Sequence, residues 1–239
     1  MSLDNALLDG QRVLVLGTGG IAAELAATVA SAGAEPVVAG RDSQRAAAVA
    51  AQVGGRSVTL DLGDEDSVVA ALAAAGPLDH VVSTASASAN GPVTDLDLAA
   101  VDRAVRAKLT GAILLAKHAA PRLPEHGSLT FFSGVVAWRP GPGQAVTAMT
   151  NGGLAHLGAA LAVELAPRRV NVISPGIIDS GLWDGLGDER DAFFARVART
   201  VPARRVGRPR DVAQAVLLLL TNPFMTGSVL HVDGGGRWA

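Results

Sequence analysis

Seven short apolar runs rich in Val, Ile, Leu and Phe recur along the chain, at Arg12–Leu16, Glu35–Ala39, Arg56–Leu60, Asp79–Ser83, Ser128–Ser133, Arg169–Ile173 and Ser228–Val232. None alternates cleanly between apolar and polar positions, which predicts strands buried on both faces, as in a parallel sheet. Longer Ala/Leu-rich stretches separate them, at Ile21–Ser31, Ser43–Gln52, Glu65–Ala75, Leu98–Ala119, Gln144–Leu165 and Arg210–Leu220. Strand-like and helical stretches in alternation predict a doubly wound α/β domain. Helix punctuation agrees: Asp64 can cap the third helix, Gly33 can end the first, and Pro121 and Pro167 follow two others. Gly181–Arg199 reads as a less ordered insert, acidic and then helical. With no linker, repeat or low-complexity stretch, residues 1–239 are expected to form one domain.

Composition narrows the function classes. The chain has 239 residues, 20 Lys+Arg against 22 Asp+Glu and a net charge of -2, so neither nucleic acid nor an anionic membrane is the expected main partner. Cys is 0, which removes disulfides, thiolate catalysis and Cys-ligated zinc. His80, His118, His126, His156 and His231 have no metal-ligand spacing, so no metal is expected. No apolar run approaches the roughly 20 residues of a membrane helix. Met1-Ser2-Leu3-Asp4-Asn5 lacks the basic and apolar regions of a signal peptide, which makes a cytoplasmic location the expectation. Tyr is 0.

Val13-Leu14-Val15-Leu16-Gly17-Thr18-Gly19-Gly20-Ile21-Ala22 runs from the first strand through glycines into the first helix. Gly17, Gly19 and Ala22 fit the G-x-G-x-x-G/A pattern, in which small residues let backbone N–H groups approach a pyrophosphate at a helix N-terminus. Such a turn also serves simply as a tight strand–helix bend. At the end of the second strand, Gly40 and Arg41 stand where an NAD site wants a carboxylate for the ribose 2′-OH. A guanidinium suits a 2′-phosphate, so NADP(H) is expected over NAD(H). Alternatively Arg41 is a solvated helix-start residue and Asp42 an N-cap. Asp61, after the third strand, is a candidate acceptor for the adenine amino group, or else a turn cap.

Over essentially its whole length the chain resembles the short-chain dehydrogenase/reductase family. The likeness rests on Val37-Val38-Ala39-Gly40-Arg41, Leu60-Asp61-Leu62, Leu78-Asp79-His80-Val81-Val82, Arg169-Val170-Asn171-Val172-Ile173-Ser174-Pro175-Gly176 and Thr226-Gly227-Ser228-Val229-Leu230-His231-Val232-Asp233-Gly234-Gly235. It implies a Rossmann-type seven-stranded parallel sheet, a dinucleotide across the C-terminal strand ends, a small-molecule substrate and a homodimer or homotetramer. The implied cofactor contacts are Gly17, Thr18, Gly19, Gly20 and Ile21 in the glycine turn, Asp61 and Leu62 after the third strand, and Ser83, Thr84 and Ala85 after the fourth. Pro175 and Gly176 open a Pro-Gly-x-x-x-Thr-like loop, where the Ile178 backbone and the Ser180 hydroxyl would hold the nicotinamide carboxamide. The glycine turn is one residue shorter between its outer glycines than the family's.

The family's chemistry carries over less well. Its Tyr-x-x-x-Lys aligns with Thr147 and Asn151, its catalytic Ser falls on Gly134 beside Ser133, and its helical Asn is replaced by Lys108. The only lysines are Lys108 and Lys117, so the proton relay is absent. Losing a positioned general acid costs about 10²–10⁴ in rate. Two readings stay open. One is an atypical reductase of carbonyl, imine or enone compounds, with Lys108, Ser133, Thr147 and Asn151 as candidate catalytic residues and Lys108 also near the ribose. The other is a non-redox or catalytically silent NADP(H)-binding scaffold or sensor. Lys108 could equally be a surface residue reaching solvent. His156 is expected in the core or an interface, Glu164 in solvent, and Trp138, Trp183 and Trp238 near the pocket rim. Gln144–Leu165, small-sided and apolar all round, is expected to be buried on both sides, against the sheet and against a partner helix of a two-fold homo-oligomer.

Overall fold

The computed structural model describes residues 7–87 and 89–239. Seven strands form one parallel sheet: β1 (Arg12–Leu16), β2 (Glu35–Gly40), β3 (Arg56–Thr59), β4 (His80–Ser83), β5 (Ser128–Phe132), β6 (Arg169–Pro175) and β7 (Val229–Val232). Their order is β3-β2-β1-β4-β5-β6-β7. Chain direction across the sheet reverses between β1 and β4, the crevice where ligands of open α/β sheets sit.

Eight helices cover the sheet: α1 (Gly20–Ser31), α2 (Ser43–Gln52), α3 (Glu65–Ala75), α4 (Leu98–Val105), α5 (Gly111–Ala119), α6 (Ala145–Glu164), α7 (Glu189–Thr200) and α8 (Pro209–Thr221). On one face Leu72, Leu115, Leu154 and Leu161 pack against Leu14, Leu129 and Val172. On the other, Leu25, Val29, Val212, Val216 and Leu219 pack against Val13, Val15 and Ile173. Asp64 and Asp42 cap α3 and α2 with their carboxylates, as the sequence suggests for the first and allows for the second.

Two expectations change. The edge strand β3 is largely exposed and β7 is half-buried; a strand at a sheet edge lacks one neighbour and, here, part of its helical cover. The stretch Leu98–Ala119 is broken by a π-helical turn at Arg106–Thr110. Helix α6 buries one face through Val146, Asn151, Leu154 and Leu161, while Met149, His156 and Val163 are exposed, so His156 is not a core residue within this chain. Glu164 faces solvent as expected. Among the described residues no helix is long and apolar enough to cross a membrane, and no group of His, Cys, Asp and Glu could hold a metal ion.

Two buried polar side chains fix the lower rim of the sheet. The Arg169 guanidinium donates to the carbonyls of Leu219 (2.5 Å) and Leu220 (2.7 Å), satisfying the C-terminal end of α8 with a positive charge. His80 is 2% exposed and holds Ser128 Oγ through Nδ1 and Gln11 Oε1 through Nε2, each at 2.8 Å. Burial, and then the nearby Arg169 charge, push its pKa down to about 4 against the opposing field of Asp79. The ring is therefore neutral at pH 7, and its stabilising contribution is complete above the unfolded value of 6.5 and lost as pH falls toward 4. Urea unfolding should reveal a loss on the order of 3 kcal/mol from this group below pH 4. His80→Gln, which cannot titrate, should flatten the stability–pH slope between pH 6.5 and 4; an unchanged slope assigns the acid sensitivity elsewhere.

Candidate active site

The turns that follow the strands converge at one end of the sheet. Gly17 leaves β1 with φ +133°, and a Cβ there would lie 2.0 Å from Thr84 Oγ1, whose hydroxyl donates to the Leu16 carbonyl. Only glycine allows both the backbone conformation and the close passage of the β4 turn. Gly19 is the N-cap of α1 and supplies no side-chain cap, so the first N–H groups of the helix stay free for an anion. A Cβ on Gly19 would meet nothing within 4 Å, which leaves room beside those donors. At Gly20 a Cβ would lie 2.7 Å from the Ser180 carbonyl, so the loop after β6 rests directly on the start of α1. The glycine turn and Pro175–Ser180 thus sit side by side, as a dinucleotide spanning them requires.

Other expected cofactor positions divide. Arg41 is exposed at the end of β2. Asp61 is exposed and accepts from Gly63 N at 2.8 Å, a turn-capping role that leaves its second oxygen over. Leu62 is a core residue against Gly111, so it can offer only backbone. Ser83 is buried at the end of β4, with Thr84 and Ala85 half-buried above it. Ile178 is 4% exposed and its carbonyl accepts from Trp183 Nε1 at 3.1 Å. Gly176 passes so close to Asp233 that a Cβ would lie 2.8 Å from its Cα. Thr18 packs over Gly40, 3.0 Å from where a Cβ would be, and Ile21 packs with the α1–α8 core.

The four catalytic candidates lie around the end of β5. Ser133 Oγ donates to the Asn151 carbonyl at 2.8 Å, inside α6. Thr147 Oγ1 donates to Asn90 Oδ1 at 2.8 Å. Both hydroxyl protons are therefore committed to internal acceptors. Asn151 is 3% exposed, and its Oδ1 has no partner. Its amide lies 3.0 Å from where a Cβ on Gly134 would be, so that glycine lets β5 and α6 approach. Lys108 occupies the π-helical turn between α4 and α5, the kind of irregularity that re-aims a side chain. It is 8% exposed, which excludes a surface lysine, and its Nζ donates to the Ser133 carbonyl over a long 3.5 Å. Burial alone pushes its pKa down to about 8. Lys117, by contrast, is exposed and paired with Glu65 at 2.7 Å.

Asn90 carries no signal in the sequence, because its partner Thr147 lies 57 residues further along the chain, whereas Trp183, expected near the pocket rim, bonds the loop carbonyl of Ile178. Trp138 packs edge-on to His231 at 4.5 Å, and Trp238 is exposed at the C-terminal end. Gly17→Ala should destabilise the protein by about 1–3 kcal/mol, read as a lowered Tm, through φ strain and the clash with Thr84. A Tm equal to that of the parent protein contradicts the tight turn.

Comparison with known proteins follows the same lines. A family model described as Enoyl-(Acyl carrier protein) reductase matches residues 15–236. "Short-chain dehydrogenase/reductase ATR9" of Stachybotrys chlorohalonatus is 30% identical over 244 residues, covering 95% of this chain and 96% of that protein. "3-Oxoacyl-[acyl-carrier-protein] reductase FabG" of Aquifex aeolicus is 29% identical over 245 residues, covering 95% and 98%. A crystal structure of a small-chain dehydrogenase in complex with NADPH superposes with a TM-score of 0.84 at 34% identity, covering 97% of this chain and 100% of that one. With its Rossmann-like seven-stranded sheet and a match over nearly its whole length, the chain belongs to the short-chain dehydrogenase/reductase family of oxidoreductases.

Proposed function

We propose that this protein is an NADP(H)-dependent reductase of small carbonyl, imine or enone compounds in which Lys108 replaces the family's tyrosine–lysine relay. The observation that carries the reading is the state of the donors around β5. Ser133 and Thr147 have given their protons to Asn151 O and Asn90 Oδ1, and Lys108 has only a long bond to the Ser133 carbonyl. The chain has no tyrosine to fill the role. Lys108 is thus the candidate whose proton remains available to a substrate oxygen.

The residues fit the cofactor. Uncapped N–H groups at Gly19–Ile21 and the open space beside Gly19 suit the pyrophosphate. Exposed Arg41 suits a 2′-phosphate, and its position at the end of β2 supports NADP(H) over NAD(H). The Ile178 N–H and the Ser180 hydroxyl, on the loop beside Gly20, suit the carboxamide. The NADPH complex of the 34% identical neighbour supports the same assignment. When bound, the cofactor supplies a hydride to the substrate carbon. Lys108 then supplies the proton that neutralises the oxygen, and its burial away from carboxylates keeps the ammonium acidic enough to do so. Asn151 Oδ1, buried and unpartnered, is placed to accept a hydrogen bond from a substrate or a water that re-protonates the amine. The open outer face of α6, with Met149 and Val163 exposed, supports the two-fold homo-oligomer.

NADPH absorbance followed with a panel of ketones, aldehydes, imines and enones should show consumption for at least one class. Lys108→Met should lower kcat by about 10²–10⁴ while NADPH binding changes by less than ten-fold. For the parent enzyme, kcat should be level below pH 8 and fall about ten-fold per pH unit above it, as the ammonium is lost. Tight NADPH binding with no turnover across the panel would instead identify a catalytically silent binding protein. Arg41→Ala should weaken NADPH binding and leave NADH binding unchanged; equal loss for both nucleotides overturns the 2′-phosphate assignment.

A further inference from the structure

On the far side of the Pro175–Ser180 loop lies a cavity of about 400 Å³, a size typical of small-molecule sites. Its apolar wall is Ile177, Ile178, Val197 and Val201. Its polar wall is Arg205 with Asp211, Arg237 with Asp233, and His231, with the backbone of Gly234 and Gly235. The two arginines are held in place: Arg205 grips the Asp211 carboxylate at 2.5 and 2.9 Å, and Arg237 Nη1 lies 3.1 and 3.2 Å from the Asp233 oxygens. A guanidinium carries five N–H donors, so each pair fixes the fork and leaves donors over. His231 Nδ1 is buried without a hydrogen-bond partner.

The segment that supplies the apolar wall is strongly basic. Arg196–Arg210 carries six arginines and no carboxylate, in a chain whose net charge is -2. All six are exposed, and among the described residues only Arg205 of them forms an ion pair. A positive field over an apolar pocket raises the local concentration of anions. The field is separate from the position expected for the 2′-phosphate. Arg41 follows β2 and His231 lies in β7, five strands apart in the sheet, or roughly 24 Å at 4.8 Å per strand.

We propose that this cavity is a second binding site that takes an anionic amphiphile, a phosphate or carboxylate head at Arg205 and Arg237 with a short apolar chain against Val197, Val201 and Ile177. The head satisfies the leftover guanidinium donors, and the chain removes the valine and isoleucine surface from water. Recognition needs both halves of the ligand, since a bare anion gains nothing from the apolar wall and a neutral chain nothing from the arginines. The site does not rest on the reductase reading; the two share only Ile178, whose backbone N–H is assigned to the carboxamide and whose side chain lines the cavity.

Calorimetry on the full chain with octyl phosphate, octanoate, octanol and inorganic phosphate tests it, all below their micellar concentrations. Octyl phosphate or octanoate should bind one per chain and at least ten-fold tighter than octanol or inorganic phosphate, and more weakly as salt rises. The stronger of the two anions tells a phosphate head from a carboxylate. Arg237→Gln should weaken binding at least ten-fold, and the cavity-filling Val197→Trp and Ala203→Leu should abolish it, with folding checked by circular dichroism. Arg41→Ala should leave it unchanged. Octanol binding as tightly as the anions, or binding that survives both filling variants, overturns the proposal. Loss of binding in Arg41→Ala also overturns it, by placing the anion in the cofactor cleft.

Discussion

Beside the end of β5 a lysine ammonium, Lys108, is buried with one long hydrogen bond and, among the described residues, no carboxylate partner. Taking an ammonium out of water is costly unless hydrogen bonds replace its hydration. At Lys108 the replacement is partial: a π-helical turn points the chain inward, and the Ser133 carbonyl accepts at 3.5 Å. The Ser133 and Thr147 hydroxyls and the Asn151 side chain do not make up the difference. Instead each hydroxyl turns its proton to a different acceptor, and Asn151 Oδ1 stays unpaired. Lys108, with one long acceptor, and Asn151, whose Oδ1 lacks a donor, both border Ser133.

The same chain shows how buried cations are handled when no chemistry is intended. Arg169 places its guanidinium on the carbonyls that end α8, where the helix dipole favours it. His80 escapes the problem by staying neutral, with both ring nitrogens bonded. Both lie at the opposite rim of the sheet from the strand ends that face the cleft. The buried polar groups Arg169 and His80 at the lower rim are satisfied, whereas Asn151 Oδ1, Ser174 Oγ and His231 Nδ1 toward the upper rim and Thr130 Oγ1 in mid-strand are not. Perturbed groups without structural compensation mark functional sites.

Much of this was legible in the sequence. Each of the seven apolar runs became a strand within two residues of its expected bounds, because a parallel sheet buried by helices on both faces writes itself as continuous apolar runs. The glycine turn, Arg41 and the Pro175–Ser180 loop fell at the C-terminal strand ends, since strand–turn–helix order alone fixes that placement. What escaped was tertiary. The exposure of β3 depends on its edge position, which no local pattern reports. The π turn at Arg106–Thr110 follows an uninterrupted helical pattern in sequence. Lys108 illustrates the limit best: its identity was visible, but its burial came from a kink and a neighbouring strand that composition cannot foretell.

The loop after β6 ties the two halves of the cleft together. It lies against α1 so closely that Gly20 admits no side chain, and against the C-terminal turn so closely that Gly176 admits none either. Its Ile178 carbonyl is fixed by Trp183, and Ile178 itself is buried between the candidate nicotinamide position and the arginine-lined cavity. A segment pinned on both sides by backbone contacts cannot shift at one end without moving at the other. A ligand in the proposed cavity would therefore lie against the backbone expected to hold the carboxamide. The close packing that excludes a side chain from Gly20 of α1 and from Gly176 of the loop is what would couple the two sites.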